Sequence, residues 1–283
     1  MVVGAIEVGR WFKPHTQVVD LRGAVEYAAA TNDPAPSYAD GLRAPPTYGY
    51  VVAHEACQPH LDAVIPEGFR STSVQAGHDL WFHRPLVPGR KVTSRMTVHG
   101  VNVAGSGTRI ALRVSTWDAD DGDAILDQYS VIYVRGLTEG ASTGQEVPDH
   151  AFPEAARTAP VVTKVIHIGE DQASRYADVS GDRSPIHVDP DFARSAGFPD
   201  VILQGMCTMA ISGRGIVDAV ADGDSVRLAR LAVRLRRPLL PGGELTLSIY
   251  DAGRTADGAL AYAFEGSSAD HLVVSDGRAN VRP

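Results

Sequence analysis

Asp182 and His187 stand five residues apart in a stretch whose residue types suit acid/base chemistry. Pro185, between them, fixes its own backbone φ, and Gly181, just before them, permits a sharp turn. The two side chains can therefore face each other across one loop. A carboxylate and an imidazole held close together form an acid/base pair that works near neutral pH. The plainer interpretation is an Asp that caps a turn and a His that packs, since Asp is common in turns.

A predicted helix start follows this loop and is suited to binding an anion. Asp189 and Pro190 form an N-cap followed by proline at the first helical position, and Gly197 ends that short helix. A longer helix then begins near Gln204 or Gly205, with apolar or small residues recurring at helical spacing. The Gly205 N–H would lie at the positive end of the helix dipole, which suits a carbonyl oxygen gaining negative charge.

The elements that must position these residues occur twice along the chain. Residues 27–33 match residues 176–182 at an offset of 149 positions, and residues 83–89 match residues 236–242 at an offset of 153. Two matches in the same order, with nearly equal offsets, indicate a duplication.

The duplication predicts an N-terminal half at 1–136, a linker rich in Pro, Gly, Thr and acidic residues at 137–160, and a C-terminal half at 161–283. In each half a short strand, a tyrosine-bearing helix and a longer helix precede several strands. Because one long helix faces several strands, the sheet must wrap around it, which is an α+β fold. The predicted helices are 22–30, 48–56, 170–178 and 204–220, and the predicted strands are 17–20, 76–82, 91–98, 108–118, 125–134, 161–168, 227–236, 244–250, 260–265 and 273–281.

The C-terminal half alone keeps the full set of candidate residues. Asp33 is the repeat counterpart of Asp182, but Tyr38 takes the place of the histidine, and Val52 falls opposite Gly205. We therefore predict one active site, in the C-terminal half, with the N-terminal half retained for packing and for accommodating the substrate.

Composition narrows the class of protein. A net charge of −8 argues against a general nucleic-acid binder. Cys57 and Cys207 lack a Cys-x-x-Cys partner, so we expect both to be reduced and buried in a cytoplasmic protein. Residues 1–10 lack the basic region of a signal peptide, and no apolar run approaches the length of a membrane span. No His-x-x-x-His pair falls on a predicted helix, so we expect no metal site.

Two adjoining motifs resemble a known family. Ser180-Gly-Asp-Arg-Ser-Pro-Ile-His187 and Ile202-Leu-Gln-Gly-Met-Cys-Thr208 resemble the signature of hydratase 2, the MaoC-like dehydratase family of (R)-specific enoyl-CoA hydratases. The similarity extends over roughly 35 residues with fixed internal spacing. Two residues depart from the usual pattern: Ser184 stands where the family has Asn, and Gln204 stands where it has His.

The resemblance implies a double hotdog, with two tandem units that each wrap an antiparallel sheet around a central helix. It implies that Asp182 and His187 reversibly add water to a trans-2-enoyl-CoA, giving a (3R)-3-hydroxyacyl-CoA in fatty-acyl or steroid side-chain metabolism. The Gly205 N–H would bind the thioester oxygen, and Ser184 would support the catalytic loop. No cofactor is implied, because coenzyme A enters as part of the substrate. A shortened helix in the N-terminal half would leave room for the acyl chain.

Several alternatives stay open at this stage. A hotdog enzyme of another kind, either an acyl-CoA thioesterase or an acyl-carrier dehydratase, has the same fold. A non-catalytic protein that binds acyl thioesters would account for the departures at Ser184 and Gln204 as marks of lost activity. Linear, methyl-branched and ring-bearing acyl groups all fit the motifs. The sheet edges leave a homodimer open as well.

Overall fold

The computed structural model describes residues 7–283, apart from the side chains of Asp62, Ser71 and Thr72. Residues 1–6, which belong to the segment examined for a signal peptide, lie outside the described residues. The chain folds as two compact units. The first contains residues 7–19, 49–84 and 89–149, and the second contains residues 20–48, 85–88 and 150–283. Residues 20–48 and 85–88, which the repeat assigned to the N-terminal half, therefore fold with the second unit.

Seven α-helices lie within the described residues, and none of them is long and apolar enough to cross a membrane. They are α1 (Leu21–Ala30), α2 (Pro36–Ala39), α3 (Tyr48–Val64), α4 (Gln172–Ser180), α5 (Pro185–Val188), α6 (Pro190–Ser195) and α7 (Gly205–Val220).

The first unit is an antiparallel sheet in the order β1-β3-β4-β5-β2, with a short strand β6 that also pairs with β3. Buried and partly buried residues alternate along β5, which gives the sheet one core face. Strand β6 lies inside the predicted linker, so the sheet holds part of that segment in place. The strands are β1 (His15–Val18), β2 (Ser73–Phe82), β3 (Lys91–Ala104), β4 (Gly107–Asp118), β5 (Ala124–Arg135) and β6 (Thr143–Gly144).

Helix α3 is longer than predicted, so the expectation of a shortened helix in the N-terminal half is wrong. It runs for 17 residues and contains Pro59 in its interior. Proline usually disfavours a helix interior. Here Cys57, Leu61 and Val64 continue the apolar face of the helix into the core of the first unit, and that burial favours the longer helix. The helix begins at Tyr48, so Gly49 lies in its first turn. The repeat offset had instead placed Val52 opposite Gly205.

The second unit is an antiparallel sheet in the order β8-β11-β10-β9-β7, against which α7 packs. Two glycines bring the helix close to the sheet. A Cβ at Gly213 would lie 2.7 Å from a methyl of Leu231, and one at Gly215 would lie 2.6 Å from a methyl of Leu247. The strands are β7 (Val162–His167), β8 (Leu228–Leu235), β9 (Glu244–Arg254), β10 (Leu260–Ser268) and β11 (His271–Val281).

The two tyrosine-bearing helices predicted from the repeat, α1 and α4, pack together within the second unit. The rings of Tyr27 and Tyr176, which are repeat counterparts, are fully buried, with centroids 5.7 Å apart. Arg175 on α4 donates a hydrogen bond to the Ala29 carbonyl at the end of α1. This contact explains why residues 20–48 belong to the second unit.

The loop after α1 holds a buried charge network. The carboxylate of Asp33 accepts hydrogen bonds from the Tyr38 hydroxyl at 3.0 Å and from Arg214 of α7 at 2.8 Å. Arg214 also pairs with Asp218 one turn further along the helix. Burial raises the pKa of Asp33, and the Arg214 charge partly offsets that effect. Burial also raises the pKa of the Tyr38 hydroxyl, which keeps it protonated as a donor.

Arg214→Met should lower the free energy of unfolding by about 3 kcal/mol at pH 7, because it leaves the Asp33 carboxylate buried without its cation. The pKa of Asp33 would then rise further above its unfolded value. The folded state would bind the extra proton, so the loss should shrink as the pH falls toward 5. Urea unfolding at both pH values measures this. Arg194→Met, which breaks the exposed pair with Asp191, is the control and should change stability little. An equal loss at both pH values would assign the effect to packing.

Candidate active site

The loop between α4 and α5 holds Asp182 in place through backbone and hydroxyl contacts. Helix α4 ends at Ser180 and is capped by Gly181, whose φ of 77° is the left-handed conformation that glycine favours. The Asp182 N–H then donates to the hydroxyl oxygen of Ser180 at 3.2 Å. Its Oδ1 accepts from the Ser184 hydroxyl at 2.8 Å and from the Ser184 N–H at 3.3 Å. These contacts leave Oδ2 directed away from Ser184.

His187 lies on the single turn of α5 and is buried. Its Nδ1 is 2.7 Å from the carbonyl oxygen of Ile202. A carbonyl oxygen accepts only, so Nδ1 carries the hydrogen, and in the neutral ring Nε2 holds the lone pair. Nε2 lies 3.8 Å from Oδ2 of Asp182. The structure thus places Asp182 and His187 on facing sides of one loop, as their spacing predicted, and it places Ser184 against the Asp182 carboxylate.

The separation between the two groups suits a shared small molecule better than a direct bond. A distance of 3.8 Å is beyond hydrogen-bond range. Nε2 of His187 and Oδ2 of Asp182 are two acceptors that face one another, and a single water can donate one hydrogen to each. The pair can therefore orient a water and remove its proton.

Helix α7 begins at Gly205, three residues after Ile202, whose carbonyl oxygen is hydrogen-bonded to His187. Gln204 is its N-cap by backbone position, but its side chain makes no capping hydrogen bond to the helix. The first N–H groups of a helix have no intrahelical partner, so the start of α7 presents donors and a positive dipole end. A Cβ at Gly205 would lie 2.4 Å from Cδ1 of Leu235, so glycine lets the start of the helix approach the sheet.

The side chain of Gln204 is the contact that sequence reasoning missed. Its Nε2 donates to the carbonyl oxygen of Ala173 at 3.0 Å and to that of Asp182 at 3.3 Å. Gln204, the residue just before Gly205, thereby connects the start of α7 with α4 and with the loop that carries Asp182. The sequence marked this position as a departure from the family pattern, but the motif carries no information on where the side chain points.

Other reactive groups do not add to the site. Burial raises the pKa of Cys57 to about 12 and raises the pKa of Cys207 as well, so neither thiol is activated as a nucleophile. Among the side chains that the structure describes, no three from His, Cys, Asp or Glu are grouped closely enough to hold a metal ion.

Gly205→Ala should lower the free energy of unfolding by about 1–3 kcal/mol, because the new methyl overlaps Leu235. Leu235→Ala removes the overlapping methyls. The cost of the alanine at 205 should therefore be smaller in the double variant, with a coupling of at least about 0.5 kcal/mol. Chemical denaturation of the four proteins in the cycle measures this coupling. Gly105→Ala is the control, because a Cβ at that site meets nothing within 4 Å. Additive costs would show that the contact does not require glycine.

Both halves of the chain match family models of dehydratases. The model for the MaoC like domain matches residues 152–259, which contain the candidate site. The model for the FAS1-like dehydratase domain region matches residues 7–128.

Two relatives from Mycobacterium tuberculosis match at the level of sequence. The chain is 30% identical to 3-hydroxyacyl-thioester dehydratase Y over 241 residues, which covers 82% of this chain and 79% of the relative. It is 36% identical to enoyl-CoA hydratase ChsH3 over 140 residues, which covers 50% of this chain and 48% of that protein.

The fold has solved counterparts. The crystal structure of a MaoC-like dehydratase from Phytophthora capsici superposes with a TM-score of 0.85 at 20% identity, covering 100% of this chain and 98% of the other. A Mycobacterium tuberculosis protein with a double hotdog fold superposes with a TM-score of 0.60 at 15% identity, covering 99% and 97%. The predicted α+β double hotdog is therefore confirmed, and the chain belongs to the MaoC-like dehydratase family, known also as hydratase 2.

Proposed function

We propose that this protein is a hydro-lyase that reversibly adds water to the double bond of a trans-2-enoyl-CoA, forming a (3R)-3-hydroxyacyl-CoA. The observation that carries the proposal is the pair of facing acceptors, Nε2 of His187 and Oδ2 of Asp182, 3.8 Å apart in one loop. Enoyl-CoA hydratase and 3-hydroxyacyl-thioester dehydratase, the names of the two relatives, describe opposite directions of this reaction.

Hydration requires a water that is oriented and deprotonated as it attacks C3. The water would donate its hydrogens to His187 and Asp182, directing an oxygen lone pair at C3. As the C3–O bond forms, one water O–H bond breaks and its proton passes to the pair. The electrons of the double bond move to the thioester carbonyl, and the pair then delivers a proton to C2. General acid/base catalysis of this kind contributes a factor of about 10²–10⁴.

The developing negative charge needs a donor that is in place before the reaction. The Gly205 N–H, at the start of α7, is the donor we assign to the thioester oxygen. An oxyanion donor of this kind contributes about 3 kcal/mol to the stability of the transition state. Its position depends on α7 lying against Leu235, which the glycine allows.

The remaining features of the proposal concern the substrate and its setting. We assign the (R) configuration to the product on the strength of the family, with coenzyme A as the thiol of the substrate and no further cofactor. Arg236 and Arg237 are exposed and can meet the phosphates of coenzyme A. We further propose a cytoplasmic enzyme of fatty-acyl or steroid side-chain metabolism that binds no nucleic acid or membrane, and a homodimer as its assembly.

Asp182→Asn should lower kcat for hydration by at least about 100-fold, because the amide cannot take up the proton from water. Loss of enoyl-thioester absorbance with crotonyl-CoA, and with a longer enoyl-CoA, measures the rate. An (R)-specific dehydrogenase then reports the configuration of the product. Asp191→Asn, at an exposed carboxylate on α6, is the matched control and should leave kcat unchanged.

Each other outcome of this assay contradicts part of the proposal. Activity that survives in Asp182→Asn would move the catalytic base elsewhere. Release of free coenzyme A without change at the double bond would favour a thioesterase. Tight acyl-CoA binding without turnover, across linear and ring-bearing acyl groups, would favour a binding protein.

Ser184→Ala should lower kcat by about 10-fold, because Asp182 loses a hydrogen bond from a hydroxyl to its carboxylate. Ser184→Asn should keep or raise activity, since the amide nitrogen can donate to the same oxygen. Steady-state kinetics on enoyl-CoA, with unfolding curves for each variant, separate an effect on the loop from one on stability. A total loss in Ser184→Asn would show that the serine loop cannot accept the longer side chain.

A further inference from the structure

The start of α7 and the catalytic loop share one buried side chain. Gln204 is 1% exposed, and its Nε2 is within hydrogen-bond distance of two carbonyl oxygens, one on α4 at Ala173 and one on the loop at Asp182. The backbone carbonyl oxygen of Gln204 accepts a hydrogen bond from the Thr208 N–H at 3.0 Å, in the first turn of α7. One residue therefore contacts all three elements that build the site.

The chemistry of the contacts fixes the orientation of the amide. Both neighbours of the amide nitrogen of Gln204 are carbonyl oxygens, which accept only, so the group that faces them must be a donor. The other end of the amide, Oε1, is buried without a hydrogen-bond partner among the described residues. A buried acceptor without a partner costs free energy. The amide N–H of Gln204 is therefore the group that the fold uses at this position, although Oε1 is left without a hydrogen bond.

The Gln204 amide donates to the backbone of Asp182, the residue that carries the proposed acid/base carboxylate. The Ala173 carbonyl lies in the first turn of α4 and has a helical N–H partner by its position, whereas the Asp182 carbonyl lies beyond the end of that helix. The bond from Gln204 therefore restrains the backbone of the acid/base residue itself. It also sets that backbone relative to Gly205, the next residue after Gln204 along the chain.

We propose that Gln204 is a positioning residue, which holds the Asp182 backbone in register with the start of α7 so that the acid/base pair and the Gly205 N–H act on the same thioester. The inference rests on the proposed hydration activity and assigns Gln204 no contact with the substrate. A donor at this site is needed in the transition state, where both groups must act at once, so its loss should appear in kcat.

The test compares Gln204→Met, which keeps the length of the side chain but has no donor, with Gln204→His, whose imidazole N–H can donate. The probe is enoyl-CoA hydration by the full chain. We expect Gln204→Met to lower kcat by about 10–100-fold with KM within about threefold, and Gln204→His to recover at least about a third of the wild-type kcat.

A matched control separates positioning from loss of stability. Gln172 is also fully buried and donates to a carbonyl oxygen, that of Ala30, but it does not contact the catalytic loop. Gln172→Met should lower the midpoint of urea unfolding while leaving kcat within about threefold. If Gln204→Met does not fold, Gln204→Asn is the second variant: it retains the amide but withdraws it by one methylene, and it should lower kcat in the same way.

The outcomes distinguish this inference from the proposed function. If the wild type hydrates enoyl-CoA and Asp182→Asn does not, but Gln204→Met keeps its kcat, the positioning role is wrong and the function stands. An equal loss of kcat in Gln172→Met, or no recovery in Gln204→His, would likewise overturn it by showing a merely structural effect. If the wild type has no hydratase activity, the function fails and takes the role of Gln204 with it.

Discussion

The hydrogen bond from Nδ1 of His187 to the carbonyl oxygen of Ile202 is the contact on which the rest of the site depends. It assigns the hydrogen to Nδ1 and leaves the lone pair of the neutral ring on Nε2, toward Asp182. Without it the imidazole could present a donor instead of an acceptor to a water held by the carboxylate. Because Ile202 lies three residues before Gly205, the same bond ties the ring of His187 to the segment that leads into α7.

Two hydrogen bonds join the two sequence motifs in space. One motif supplies the loop with Asp182 and His187, and the other supplies Ile202, Gln204 and Gly205. The ring of His187 in the first motif donates to the backbone of Ile202 in the second. The side-chain amide of Gln204 in the second motif donates to the backbone of Asp182 in the first.

The sequence predicted the order of the longer helices and of ten strands, because hydrophobic alternation and turn residues are local signals. It missed the short elements α2, α5 and β6. It also brought Asp182 and His187 together, because Pro185 and Gly181 constrain one short loop. It failed at α3, where burial of Leu61 overrides the local preference of proline. The contacts of Gln204 were beyond its reach, because the direction of a side chain depends on carbonyl groups brought in by the fold. The packing of α1 against α4, which places residues 20–48 in the second unit, likewise depends on tertiary contacts that no local pattern specifies.

The duplicated aspartates show that partners, more than residue type, decide what a carboxylate can do. Asp182 is half-buried and faces an imidazole lone pair, whereas Asp33 is buried and held by Arg214 and Tyr38. Each oxygen of the Asp33 carboxylate accepts a hydrogen bond within an ion-pair network, whereas Oδ2 of Asp182 faces the imidazole of His187. Because Arg214 lies on α7, Asp33, the repeat counterpart of Asp182, is bound to the helix whose N-terminus carries the donor we propose for the thioester oxygen.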